Sequence, residues 1–101
     1  MKISVVIPVY NEIDSISQLY KELNDVLSAF NWYEIFFIDD GSSDGSDKEI
    51  KKIIETDSKV NLIQFHRNYG KSAALAEGFK YADGDYVITM DSDLQDDPRE
   101  I

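Results

Sequence analysis

Tyr33-Glu34-Ile35-Phe36-Phe37-Ile38 runs without a break into Asp39-Asp40-Gly41-Ser42-Ser43-Asp44-Gly45-Ser46. A nearly all-apolar run of this length reads as a strand, and the abrupt change to acids, glycines and serines marks the point where the chain leaves the sheet. The same arrangement recurs along the chain. Ile3 to Val9 is rich in Ile and Val and apolar on both faces, which fits a buried strand of the parallel type. Pro8 is expected to end it, because proline removes a ladder hydrogen bond, and Tyr10-Asn11-Glu12 follows. Leu62 to Phe65 is a third strand followed by His66-Arg67-Asn68, and Tyr86 to Met90 a fourth followed by Asp91-Ser92-Asp93.

Between the strands the apolar period becomes helical. Ile13, Ile16, Leu19, Tyr20, Leu23, Val26, Leu27 and Phe30 mark an amphipathic helix of about four to five turns. Asn11 is its expected cap, and Asp14 the reciprocal acid of a capping box. Ile50, Ile53 and Ile54 mark the buried face of a second helix. The spacing predicts a third over Lys71 to Tyr81, with Ala74, Leu75, Gly78, Phe79 and Ala82 inward and Asp83-Gly84-Asp85 as the turn that ends it. Strands alternating with helices predict an α/β fold, a parallel sheet with helices on both faces and right-handed crossovers. Ligands of such sheets bind beyond the carboxyl ends of the strands, so all four polar clusters are expected on one edge.

Composition narrows the function. A chain of 101 residues with 43% hydrophobic content suits one compact domain. The absence of cysteine excludes disulfides, thiolate metal sites and a cysteine nucleophile. The formal net charge is -10, and no basic block exceeds the pair Lys51-Lys52, which argues against nucleic acid as a partner. The acidity serves either solubility or a group of carboxylates around a cation. No segment approaches the roughly 18 apolar residues that cross a bilayer, and the stretch before Pro8 is too short for a signal peptide, so these residues read as soluble. Asp96-Asp97-Pro98-Arg99-Glu100-Ile101 reads as a cap and first turn of a further helix, and the chain is expected to be the first part of a longer protein.

Each cluster has a chemical and a structural reading. Asp91 and Asp93, at i and i+2 where a strand ends, suit one hard cation bridged to phosphate, or else an acidic solvated turn. Asp96 and Asp97 add negative charge with no base before Arg99, which favours the cation. One acid of Asp39-Asp40 can accept from a base N–H or a ribose hydroxyl, while the other makes a turn. Asp44 or Ser46 is expected to cap the following helix. Arg67, Asn68, Gly70 and Lys71 form the basic cluster of this edge. Lys71 starts a helix, where a cation is disfavoured unless it shares an anion such as a diphosphate, or else it is an ordinary surface lysine. His66, the sole histidine, reads as structural. No Gly-x-Gly-x-x-Gly follows the first strand and no complete P-loop is present, which weakens dehydrogenase and NTPase readings.

Val5-Val6-Ile7-Pro8-Val9-Tyr10-Asn11-Glu12, the Asp39 to Ser46 stretch, Arg67-Asn68-Tyr69-Gly70-Lys71 and Met90-Asp91-Ser92-Asp93-Leu94-Gln95-Asp96-Asp97-Pro98 together resemble family 2 glycosyltransferases. The branch they resemble most contains dolichyl-phosphate mannose synthases and bacterial undecaprenyl-phosphate glycosyltransferases. The resemblance spans the whole chain, with the motifs in order. It implies a Rossmann-like sheet, the nucleotide-binding half of a GT-A fold, over residues 1–101. It also implies inverting, Mg2+- or Mn2+-assisted transfer from a UDP- or GDP-sugar to a lipid (polyprenyl) phosphate. Carried over by motif, Pro8, Tyr10 and Glu12 line the nucleoside pocket with Ile38 beside it, Asp40 contacts the base, and Met90, Asp91 and Ser92 touch the nucleotide. Asp93 becomes the principal metal ligand, with Asp91 beside it.

The same resemblance puts a general base, an acceptor segment and a basic residue for the diphosphate beyond Ile101, so the 101 residues alone are expected to be inactive. It implies a full-length protein at the cytoplasmic face of the membrane, in cell-wall or glycolipid biosynthesis. Exposed surface left by a missing half would favour self-association. Two alternatives differ in chemistry: transfer to a polysaccharide or glycolipid acceptor, and a non-catalytic nucleotide-binding module.

Overall fold

The four apolar runs pair side by side in one sheet. In this computed structural model, which describes residues 1–92, β1 (Lys2–Val9), β2 (Trp32–Asp39), β3 (Val60–Gln64) and β4 (Tyr86–Thr89) stand in the order β3-β2-β1-β4. Every neighbouring pair is parallel. Three helices join them: α1 (Ile13–Leu27), α2 (Ser46–Thr56) and α3 (Lys71–Tyr81). The chain steps outward from β1 to β3, then crosses back over β2 and β1 to lay down β4. A right-handed crossover that reverses direction must put its helix on the opposite face. Among the described residues, α3 accordingly lies alone on one face, against Val6, Phe36 and Ile38, and the larger core lies on the other.

That larger core follows from the strand period. Val5, Ile7 and Val9 of β1 and Ile35 and Phe37 of β2 share a face with Ile16, Leu19, Leu23 and Leu27 of α1 and Ile50 of α2. Phe30 lies just past the end of α1 and still packs against this core. On the other face the contact is close: a Cβ at Gly78 would lie 2.3 Å from Val6 Cγ1, so a side chain there would force α3 off the sheet. Phe79, expected inward, is 51% exposed. With Ala74 and Gly78 as the contacting pair, the next residue is turned about 100° away and clears the sheet.

Pro8 does not end β1, which continues to Val9 and pairs Pro8 with Ile38. The Val6 carbonyl accepts from Met90 N–H and the Val9 carbonyl from Asp40 N–H, so Val6 and Pro8 turn their backbone groups toward β4 and Val9 toward β2. The missing donor of Pro8 therefore faces a ladder whose last pair is Val6 with Thr89. The proline sits in a central strand at the one place where its side of the ladder has run out.

The capping expected of Asn11 and Asp14 is not made. Glu12 occupies the cap position of α1, without a side-chain cap bond, and Asn11 is left-handed at φ 52°. The donors are satisfied instead by the loop after β2. Ser42 Oγ accepts from Asn11 N–H (2.9 Å), Ser46 Oγ from Glu12 N–H (3.1 Å) and Asp44 Oδ2 from Ile13 N–H (3.1 Å). Asn11 returns the bond, its Oδ1 accepting from Ser43 N–H at 2.8 Å. Asp44 Oδ1 also accepts from the N–H and hydroxyl of Ser46, in the first turn of α2, while Gly45 takes the cap position. Desolvation pushes the Asp44 carboxyl up, but the Ser46 hydroxyl and the Ile13 and Ser46 N–H groups outweigh it and hold it below 3.8, its ordinary value.

Asp44 thus serves two helix starts at once. Its pKa is lowered by folding, so its contribution is present above pH 3.8 and is lost as the pH falls through the lowered value. Asp44→Ala is expected to cost about 1 kcal/mol near neutral pH, the usual worth of a cap. Urea denaturation of the variant and the parent should show that difference shrinking as the pH is taken below 3.8.

Candidate active site

The reversal of strand order opens a crevice of about 450 Å³ at the carboxyl ends of the strands. One wall comes from the end of β1, where Pro8, Val9, Tyr10 and Glu12 line it. Another wall is Asp91 and Ser92, which follow β4, and Asp40 with Asn68, Gly70 and Lys71 from the loop into α3 complete the lining. Residues from all four polar clusters of the sequence are therefore gathered on one edge, and the crevice lies at the switch point where open α/β sheets bind ligands.

The two acids after β2 divide their work. Asp39 is fully buried and makes the turn, its Oδ1 accepting from Ser42 N–H at 3.0 Å. Its Oδ2 has no partner among the described residues. Asp40 reaches the crevice and grips the next loop: Oδ1 accepts from Tyr69 N–H (2.7 Å), and Oδ2 from Gly70 N–H (3.0 Å) and Asn68 Nδ2 (3.2 Å). A carboxylate has about four acceptor sites, so these donors leave room for roughly one more, on Oδ1. Gly41 makes the grip possible. At φ 77° it is left-handed, and a Cβ there would lie 2.3 Å from the Arg67 carbonyl carbon and 2.5 Å from Asn68 N.

The basic cluster splits in two. Lys71 lines the crevice and its ammonium donates to Asp91 Oδ1. Arg67 instead lies over the Tyr69 ring, 4.6 Å from its centroid, and His66 Nε2 is 3.1 Å from Tyr69 Oη. Tyr10, half exposed, presents an aromatic ring at the crevice. Ile38 is fully buried in the core under α3, so its side chain does not reach the crevice. Met90 is packed in the α1-side core and borders only a smaller adjoining hollow of about 110 Å³. Asp93 lies outside the described residues. Ser15, which sequence reasoning passed over, is buried in the first turn of α1, and its hydroxyl donates to the Glu12 and Ser92 carbonyls, tying the two walls together. Nothing in its local sequence signals that contact, whose partner is distant along the chain.

A parallel sheet with helices on both faces and an acid-lined crevice at its switch point is the Rossmann-like, nucleotide-binding half of a GT-A fold. The chain belongs to glycosyl transferase family 2, whose sequence model matches residues 4–101. It is 46% identical over 102 residues to the undecaprenyl-phosphate 4-deoxy-4-formamido-L-arabinose transferase of Proteus mirabilis (strain HI4320), covering 99% of this chain and 31% of that protein. The chain thus spans about a third of the length of the curated relatives it matches. Among solved structures, S. aureus TarS 1-349 in complex with UDP-GlcNAc superposes with a TM-score of 0.76 at 28% identity, over 92% of this chain and 27% of that one. The mannosyltransferase PcManGT from Pyrobaculum calidifontis, in complex with GDP-Man and Mn2+, gives 0.74 at 26% identity, over 90% and 27%.

Gly41→Ala is expected to push the loop at 67–70 off Asp40, because its methyl group meets backbone on a fixed path. Amide exchange at Tyr69 and Gly70, measured by NMR, should accelerate at least about tenfold, corresponding to roughly 1.4 kcal/mol. Exchange in β2 should change far less.

Proposed function

We propose that this chain is the donor-binding part of an enzyme that transfers a sugar from a nucleoside-diphosphate sugar to a polyprenyl phosphate, with inversion and with a divalent metal ion. The observation that carries the reading is the 46% identity, across 99% of this chain, to a transferase whose name gives undecaprenyl phosphate as acceptor. In the reaction, an oxygen of the acceptor phosphate attacks the anomeric carbon from the face opposite the diphosphate. The carbon–oxygen bond to the donor breaks, and the nucleoside diphosphate leaves with the electron pair. An acceptor phosphate is already ionised, so it needs little help from a general base.

The crevice residues suit the donor. Tyr10 offers a ring for the base to stack on, and the remaining acceptor site of Asp40 suits one N–H of that base. Lys71, at the start of α3, meets the diphosphate where backbone donors and the helix dipole also favour an anion. Asp91 offers a partly exposed carboxylate already matched by a cation, the Lys71 ammonium, and hard oxygen donors of this kind suit Mg2+ or Mn2+. Among the described residues no three such side chains form a metal cluster, so the assignment pairs Asp91 with Asp93 and with donor phosphate oxygens. Bound there, the metal would neutralise charge on the departing diphosphate.

A protein of this activity works at a membrane surface, and we assign it to the cytoplasmic face, where nucleotide sugars are made. No helix of the described residues is long and apolar enough to cross a membrane.

The test is transfer by the intact protein from UDP- and GDP-sugars to undecaprenyl phosphate, with and without Mn2+, with products read by mass spectrometry. A sugar-phosphate-polyprenol formed only with metal is expected, and Asp91→Ala should slow it at least about a hundredfold while leaving the circular dichroism spectrum unchanged. Transfer to a polysaccharide or glycolipid, with none to undecaprenyl phosphate, would overturn the reading.

A further inference from the structure

Lys71 and Asp91 stand on different elements of the crevice, one opening α3 and the other following β4, yet they are bonded to each other. The pair is not an internal strut. Its side chains are 60% and 37% exposed, and an exposed pair of this kind shifts an equilibrium by no more than about fivefold. α3 has no acid in its first turn, so the Asp91 carboxylate reaching across offsets a cation placed at the unfavourable end of a helix. Both partners are also the groups that the proposed donor complex needs for other purposes. A diphosphate competes with Asp91 for the ammonium, and a divalent ion competes with Lys71 for the carboxylate. Either ligand, on binding, breaks the same bond.

We infer that Lys71 is a placeholder cation for the metal site. Without nucleotide its ammonium occupies the Asp91 oxygen that a divalent ion requires, and the diphosphate draws it away and opens that oxygen. The inference rests on reading the crevice as a nucleoside-diphosphate site. It adds a source of coupling beyond coordination of the metal by the phosphates, since each ligand does part of the work of releasing the other's partner. The coupling is reciprocal, so metal also favours nucleotide by the same factor. In a chain of net charge -10 the arrangement keeps a crevice carboxylate compensated while the site stands empty.

The experiment is a titration of the intact protein with Mn2+, free Mn2+ being followed by electron paramagnetic resonance. It is run without nucleotide and with saturating UDP or, separately, GDP, on the parent, Lys71→Met and Lys71→Arg. Without nucleotide, Lys71→Met should bind Mn2+ about threefold to fivefold more tightly. The factor by which nucleotide tightens Mn2+ binding should fall correspondingly in that variant, while Lys71→Arg keeps the parental pattern. If the lysine acted only as a nearby positive charge, its removal would raise Mn2+ affinity equally with and without nucleotide, leaving the factor unchanged, and that outcome overturns the inference. So does a Lys71→Met protein that binds Mn2+ no more tightly than the parent. If the parent binds UDP or GDP with Mn2+ and only the factor fails to move, the placeholder role falls and the donor site stands. If it binds neither nucleotide, both fall.

Discussion

β1 has a neighbour on each side, and the rest of the structure follows from that constraint. Its backbone groups alternate between β2 and β4, so the chain has to build outward to β3 and then return across the sheet. The return forces α3 to the opposite face, and a helix crossing two strands there must lie close to them. Ala74 and Gly78 allow it. The same reversal places the switch point of the sheet between the carboxyl ends of β1 and β4. The crevice between them is thus a product of topology, and the acids at its rim inherit their positions from the strands they follow.

The loops at that rim are scaffolds for one another rather than independent turns. The loop after β2 supplies the caps for α1 through Ser42, Asp44 and Ser46, and its Asp40 holds the loop that opens α3. Ser15 then ties the start of α1 to Ser92. Each of these bonds satisfies a backbone group that would otherwise be left without an intrahelical or ladder partner. The cost of ordering a polar rim is offset by its own backbone, and the crevice is shaped before any ligand arrives. Such preorganisation lowers the cost of holding a flexible ligand in one pose.

Much of this was legible in the residues. The strands and helices lie within a few positions of where apolar periodicity puts them, because burial on a sheet face or a helix stripe is a local demand on residue type. The gathering of Tyr10, Asp40, Lys71 and Asp91 also followed, since every polar cluster came directly after a strand and parallel strands end on the same edge. Several features went the other way. Asn11 looked like a cap and is a left-handed acceptor for Ser43. Phe79 looked inward and is outside. Ile38, carried over as a pocket residue, is buried in the core. In each case the residue type suits both places, and only its neighbours in space choose between them.

The paired acids after β2 show where the boundary lies. The sequence by itself determined that an apolar strand stops at Asp39, that one acid makes the turn, and that a second is left over at the ligand edge. The motif resemblance already pointed to Asp40 as the acid of the pocket, but only the tertiary structure decided that three donors from residues 68–70 already occupy it. It also decided that Lys71 faces Asp91 while Arg67 turns away to Tyr69. Periodicity records what a residue needs from its own element. Hydrogen bonds and ion pairs between residues far apart in the chain are set by how those elements dock, which no local pattern encodes.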